Sequence, residues 1–528
     1  MSDHTHLPAE TNQALGIAKY AIDFLSDDAS KMGKPSEAVL KRTNQFFTDA
    51  AICGVSALAL GTNAPCLLRE EAQDYADPKG ATCFGTSAKV KPEKAIAANC
   101  SAVREWDSNG TNFGYNPARK QTAGEFGHND FYAVCLAACQ MKGFSGQKAL
   151  RAMVCLDEIR GRLAEAFSLK TYKIDHVLHG AIGSAAVYGA LMGATAEQIE
   201  SAIGMTVAHF VPFRAIRAGK QLSDSKGSSA AISTEAAVLA VHRSMRGFLG
   251  PRDIFRNPEA VFRIFEGPGQ MFQSVKASSA NTKQEDASPF DLWLSTAGDD
   301  FTIMGMHFKL GLYEHQSAGA IQAMIDLLNK APYLLDDATG DSIKKITITA
   351  YEPAFGIIGD PAKRNPTTRQ SADHSMVYII STLLRKALEG KSAGRETTWQ
   401  DLILTPHDYS EAAISNTITR KLMDRIEFAH GGKEYDDRYP DGIPTSVIIT
   451  GADKTDHDSG LVMYPAGHAR NTEAPLGDLL ANKWQTLGSL VQDDPKPLID
   501  RFENLGSKSA DEVASIHDFE LKIENTGI

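Results

Sequence analysis

Apolar residues recur at three- and four-residue spacing through most of the first 250 positions. TNQALGIAKYAIDFL (11–25), SEAVLKRTNQFFTDAAICGVSALAL (36–60) and SGQKALRAMVCLDEIRGRLAEAF (145–167) all carry this period, which sets one face of each helix against a core. Thr195 and Gln198 in TAEQ (195–198) form a capping-box pattern that opens a further helix. HGAIGSAAVYGALMGA (179–194) is rich in small residues and apolar on most sides, as expected for a helix packed closely within a bundle. The character changes near residue 300. IKKITITAY (343–351) alternates and is rich in β-branched residues, so it is predicted to be a strand, and TSVIITGA (445–452) and SGLVMYPAG (459–467) read likewise. Helices are predicted between them over DHSMVYIISTLLRKAL (373–388) and near 409–425, and again over APLGDLLANKWQTLG (474–488) and PKPLIDRFENL (495–505). The charged segment SANTKQEDASPF (279–290) is the candidate hinge or surface loop.

This order predicts a mostly α fold. A large all-helical domain is built from both chain ends, residues 1–295 and 465–528, with a smaller α+β lid domain over 296–464. The 528 residues, 43% of them apolar, are too many for one core. The net charge of −11 and the lack of a basic stripe argue against nucleic acid as a partner. The most apolar run, AAICGVSALAL (50–60), is too short to span a bilayer. The opening MSDHTHLPAETNQ has no apolar stretch of the kind a secretory signal carries, so a cytoplasmic protein without a membrane partner is expected. Seven cysteines, all within the first 155 residues, are odd in number and scattered, which predicts buried thiols rather than a disulfide framework. They include no CxxC and no set spaced for an iron–sulfur cluster. Neither GxxxxGK[ST] nor a GxGxxG after a strand occurs. No metal and no organic cofactor are expected.

Three polar segments interrupt the helical half. REWDSNGTNFGYNPARKQTAGEFGHND (104–130) brings Asp107, Thr111 and His128 into one loop, an acceptor, a hydroxyl and a titratable base. On pattern alone the simpler reading is a hydrophilic turn in which Asp107 and Thr111 cap the next helix. In YKIDHVLHGAIGSAA (172–186), Asp175 and His176 stand just before the small-residue helix. FRAIRAGKQLSDSKGSSAA (213–231) holds Arg214, Arg217, Lys220 and Lys226 against a single acid, Asp224. In an acidic chain this island is either a carboxylate site or a solvated basic face, and the Gly-Ser-Ser after Lys226 reads as a turn with free backbone N–H groups.

Taken in order, these segments resemble the MmgE/PrpD family. AVREWDSNGT with AGEFGHND resembles its Asp-x-x-x-Thr loop ending in Gly-His, and KIDHVLHGAIGSAA its Asp-His-Val-Leu helix. RAIR…SKGSSAA is similar to its Arg/Lys loop, with Lys226 in the lysine position, and FKLGLYEHQSA (308–318) to its Lys…His/Gln-Thr-Ala helix start. YEPAFGIIGDPAKRNPTTRQSADHSMVYII (351–380) and YPAGHARN (464–471) resemble its Asn-Pro…Arg…Asp-His helix and Tyr-Pro-x-Gly-His turn. Two departures stand out: extra residues NFGYNPARKQT between Thr111 and His128, and Glu314 beside His315 near the expected histidine.

The resemblance implies a cofactor-free lyase acting on a small tri- or dicarboxylic acid, a homodimer, and a site between the two domains. Its members include 2-methylcitrate dehydratases, cis-aconitate decarboxylases and an iminodisuccinate epimerase, and the motifs favour the first. It implies Asp107, Thr111, His128, His176 and Lys226 as catalytic, with Asp107 and Thr111 orienting and His128 and Lys226 moving the proton. Which of His128, His176 and Lys226 is base and which acid stays open. Arg214, Arg217, Lys309, Arg369, His374, Tyr464 and His468 are the implied substrate contacts. A helical carboxylate-binding protein without activity is the remaining alternative.

Overall fold

The computed structural model describes residues 3–112, 114–124, 127–217, 221–264 and 287–528. Among the described residues the N-terminal half carries nine helices of eleven residues or more: α1 (Gln13–Phe24), α2 (Glu37–Ala59), α3 (Asn63–Gln73), α4 (Pro92–Glu105), α5 (Tyr132–Lys142), α6 (Gly146–Ala166), α7 (Val177–Met192), α8 (Ala196–His209) and α9 (Ser225–Met245). The capping box at Thr195 is formed in both directions, Thr195 Oγ1 accepting from the Gln198 amide and the Gln198 side chain from the Thr195 amide. α7 is buried along nearly its whole length. Its small residues are what let neighbours close on it: a Cβ on Gly180 would meet the Phe131 ring at 2.0 Å. α9 packs against α4, α7 and α8, and α2 against α4, α6 and the helices Leu476–Gly488 and Lys496–Phe502. The core that results is continuous and apolar.

A four-stranded sheet runs in the order Asp456–Asp458, Thr445–Gly451, Ile343–Ala350, Ile426–His430, the last pair parallel and the others antiparallel. In Ile343–Ala350 the alternation is realised, with Ile346, Ile348 and Ala350 buried. The helix Ala318–Lys330 lies against Thr445–Gly451. The fold is therefore mostly α with an α+β part, as the periodicity predicts.

The structure corrects four details. The helical part is not all-helical: it carries two-stranded sheets pairing His4–Leu7 with Leu292–Ser295, Lys34–Pro35 with Ala297–Gly298, and Ala76–Thr82 with Lys89–Val90. These are held by backbone bonds and by side chains such as Gln13, whose Nε2 donates to the carbonyls of Leu7 and Phe290, and periodicity carries no trace of that. SGLVMYPAG is not a strand. Only Val462 bridges Thr445, because Gly460 and Gly467 take positive φ and Pro465 lacks an N–H, so the pairing strand is Asp456–Asp458 just before it. The helix near 409–425 is two short ones, Glu411–Ile414 and Thr417–Met423, separated where Asn416 caps the second, and the strand Ile426–His430 follows unannounced. Of the loop 279–290 only 287–290 falls among the described residues, and there Ser288 and Phe290 are buried against Gln13 rather than hinging. Six of the seven thiols are buried and none is bonded to another.

Candidate active site

The site grows from the end of α4. Arg104 lies in its last turn, and the chain then leaves the helix through Asp107 and Thr111. Thr111 exchanges backbone bonds with His307 (2.9 and 2.8 Å) and bridges His128, so two loops distant in sequence become one wall. Arg160 fixes the His128 carbonyl at 2.6 Å. Asp107 and Thr111 thus cap no helix; they are interior residues of a folded loop.

Asp107 is surrounded by three cations and a histidine. Arg104 donates to its Oδ1 at 3.1 Å, Lys309 pairs with the same oxygen, His374 Nε2 lies 3.0 Å from Oδ2 and Lys226 Nζ 3.9 Å from it. Burial alone would raise its pKa, but Arg104, Lys309, His374 and Lys226 hold the carboxyl well below its usual range. Lys226 in turn donates to Asp373 at 2.7 Å, and His374 Nδ1 lies 2.6 Å from the same carboxylate. Burial brings the Lys309 ammonium down to about 8 and the His374 imidazole down to about 3. Asp107, Asp373 and His374 are the one group of possible metal ligands among the described residues. Arg104, Lys226, Lys309 and Arg369 already neutralise those carboxylates, so a divalent cation there would sit among fixed positive charges.

A cavity of about 80 Å³ opens beside this cluster, lined by Arg104, Asp107, Thr111, His128, His176, Arg214, Arg217, Glu314, His315, Gln316, Ile358, Lys363 and His374. A larger groove, about 760 Å³, lies on the surface by α2 and the C-terminal helices, where charges such as the exposed Lys496–Asp500 pair face solvent. The chemistry converges on the small cavity.

The two histidines of its wall differ. His128 Nε2 accepts from Arg104 at 2.8 Å, so the ring proton sits on Nδ1 and is shared with Thr111 Oγ1 at 2.9 Å. His176 packs edge-on against it, ring centroids 5.1 Å apart. Its Nδ1 lies 3.2 Å from Asp175, while Nε2 has no hydrogen-bond partner. An Asp–His pair of this kind leaves a lone pair on Nε2. Asp175 is also held by Arg217, and burial, opposed by Asp175 but reinforced by Arg217, Arg104 and Arg214, brings the His176 pKa down to about 3, so the ring is neutral.

Arg214 and Arg217 share a 3-10 turn and both reach the cavity, so this part of the basic island is not a solvated face, while Lys220 lies outside the described residues. Lys226 is buried too, but it sits in the first turn of α9 rather than before an open Gly-Ser-Ser turn. Lys226, Lys309 and Arg369 stand one layer behind the cavity wall, Arg369 on Glu105 and Lys309 on Asp107. Tyr464 and His468 do not line the cavity. Tyr464 bonds Asp441 at 2.5 Å, and His468 stacks on His307, which stacks on the cavity residue His315 (centroids 3.8 and 5.0 Å). The described extra residues, 112 and 114–122, turn away as well: Asn116 bonds Glu165, and Arg119 covers Trp293. Sequence reasoning gave no role to Arg104, Gln316, Ile358 or Lys363, and noted Glu314 and His315 only as a departure near the expected histidine. Of the four without a role, only Arg104, a cation three residues before Asp107, left a signal; the others reach the cavity through tertiary folding.

Residues 17–273 match the MmgE/PrpD N-terminal domain and residues 314–499 the MmgE/PrpD C-terminal domain. The chain belongs to the MmgE/PrpD family. Similar members include the 2-methylcitrate dehydratase of Escherichia coli (strain K12), 23% identical over 420 residues that cover 76% of this chain and 77% of the relative. The probable 2-methylcitrate dehydratase of Saccharomyces cerevisiae is 24% identical over 471 residues, 85% and 82% of the two chains. That of Cupriavidus necator is 24% identical over 458 residues, 83% of each. Among the described residues no single helix is long and apolar enough to cross a membrane.

Proposed function

We propose that this member is a hydro-lyase that removes water from 2-methylcitrate, or a closely related tricarboxylate, giving 2-methyl-cis-aconitate. The observation that carries the reading is His176: a neutral imidazole on the cavity wall, backed by Asp175, with an unpartnered Nε2 among four cations. A citrate-like acid carries about three negative charges at neutral pH. Arg104, Arg214, Arg217 and Lys363 line the cavity to receive them.

His176 Nε2 takes the proton from the carbon next to a carboxylate. The electron pair left behind forms the C=C bond as the C–O bond to the hydroxyl breaks. The developing charge spreads into that carboxylate, which the fixed cations stabilise. Glu314 supplies the proton with which the hydroxyl leaves as water. Burial lifts its carboxyl to about 7, so it holds a proton near neutrality while lining the same cavity. A substrate carboxylate on Arg104 competes with His128 for the guanidinium, and Thr111 and Asp107 keep the other groups in register. The test is incubation with 2-methylcitrate and mass analysis of the product. Loss of one water is expected; release of CO₂ from cis-aconitate with 2-methylcitrate untouched would move the chain to the decarboxylase branch.

A further inference from the structure

Twelve of the thirteen side chains lining the cavity are polar or titratable, and the exception is Ile358. It is the last residue of a π-helical turn, Pro353–Ile358, that follows the strand Ile343–Ala350, and its side chain is buried. Turns of this kind are uncommon and tend to mark functional positions, because the wider ring re-aims a side chain that an α-turn would place elsewhere. The turn packs on His315–Ser317, the segment that brings Glu314, His315 and Gln316 to the same cavity. A lone aliphatic group in such a wall gains nothing from a substrate whose every carbon bears oxygen or lies next to a carboxylate. It gains from a substrate with one exposed methyl.

We propose that Ile358 is the specificity residue that reads the methyl group of the substrate and so separates 2-methylcitrate from citrate. The inference rests on the hydro-lyase reading above. In 2-methylcitrate the methyl sits on the carbon that loses its proton. Contact with Ile358 therefore also sets how that C–H is presented to His176, and the effect belongs in kcat/KM rather than in binding alone. One methyl in an apolar contact discriminates about 10- to 200-fold.

The test is the ratio of kcat/KM for 2-methylcitrate to that for citrate, read by alkene absorbance. In the wild type the ratio should exceed about 10. Ile358→Thr keeps the branched shape but puts a hydroxyl against the methyl. It should lower the ratio at least about fivefold through the 2-methylcitrate value, with citrate changed by less than about twofold. Ile358→Val, the variant least able to disturb folding, should shift the ratio in the same direction by less. A ratio unchanged in both variants, or equal losses on both acids, overturns the inference and leaves the hydro-lyase reading in place. A wild type inactive on both acids overturns that reading and the inference with it.

Discussion

Lys483 and Asp49 form an ion pair 2.7 Å long in which neither side chain has any solvent exposure. The same ammonium donates to the carbonyls of Ser108 (2.6 Å) and Lys309 (2.9 Å), and Trp484 donates to Asp49 at 3.0 Å. The helix Leu476–Gly488 thereby holds the backbone on both sides of the Asp107–Lys309 pair. Removing one partner of a buried pair costs about 3–5 kcal/mol, because the other charge stays buried alone. Lys483→Met should lose stability of that order in denaturant unfolding, and adding Asp49→Asn should restore part of it. A loss under about 1 kcal/mol would show that Asp49 is not left as an uncompensated buried charge.

His176→Gln should lower kcat by about 10²- to 10⁴-fold, the usual range for a general base, with KM moving less. Asp175→Asn replaces the carboxylate that keeps Nδ1 protonated with a neutral amide, which can also donate, and should act in the same direction. Steady-state kinetics on both variants, with circular dichroism to confirm folding, is the check. Near-wild-type turnover in His176→Gln would pass the role of base to another group.

The pH profile separates acid from base. Glu314 must be protonated to act, and its carboxyl lies at about 7, so kcat/KM should fall as pH rises through 7. Glu314→Gln should lose most of the rate and this alkaline limb with it. Stability should follow the same group. Its folded pKa is raised, so its contribution is complete at low pH and is lost as pH rises from the ordinary glutamate range to about 7. Glu314→Gln should flatten that part of the stability curve.

Lys226→Ala should lower kcat by about 10²-fold or more while KM moves less. The ammonium is buried on Asp373 and faces Asp107, so its loss unbalances both carboxylates at once. Lys226→Arg keeps the charge but not the compact ammonium and should not restore the rate. Exposed Lys391 is the control and should tolerate the same change. Retention of most wild-type turnover by Lys226→Ala would remove Lys226 from the machinery.

Local signals made part of this molecule legible. The period of α2 and α6, the capping box at Thr195 and the small residues of α7 each act within a few turns of helix, so the sequence displays them directly. The alternation of Ile343–Ala350 did the same for the central strand. Val462 and its neighbours misled because apolar content was read without the two positive-φ glycines that end pairing. At the site, Asp107, Thr111, His128 and His176 stood out because each lies in a polar break between helices. Ile358 did not, since what brings it to the cavity is the packing of the turn at 353–358 on His315–Ser317, and Lys363 arrives from the following turn, Pro361–Lys363. The Arg104 bond that ties up His128 could not be foreseen either, and it is what distinguishes the two histidines.

The central claim, elimination of water from a methylated tricarboxylate by protein groups alone, is tested most directly by ultraviolet absorbance. The purified chain, dialysed against a strong chelator, is mixed with 2-methylcitrate and followed for the new conjugated C=C. A steady rise at the same rate before and after dialysis, abolished in His176→Gln, is the result the account predicts. No rise with 2-methylcitrate or citrate, or a rise lost on dialysis and restored by iron or zinc, would contradict it.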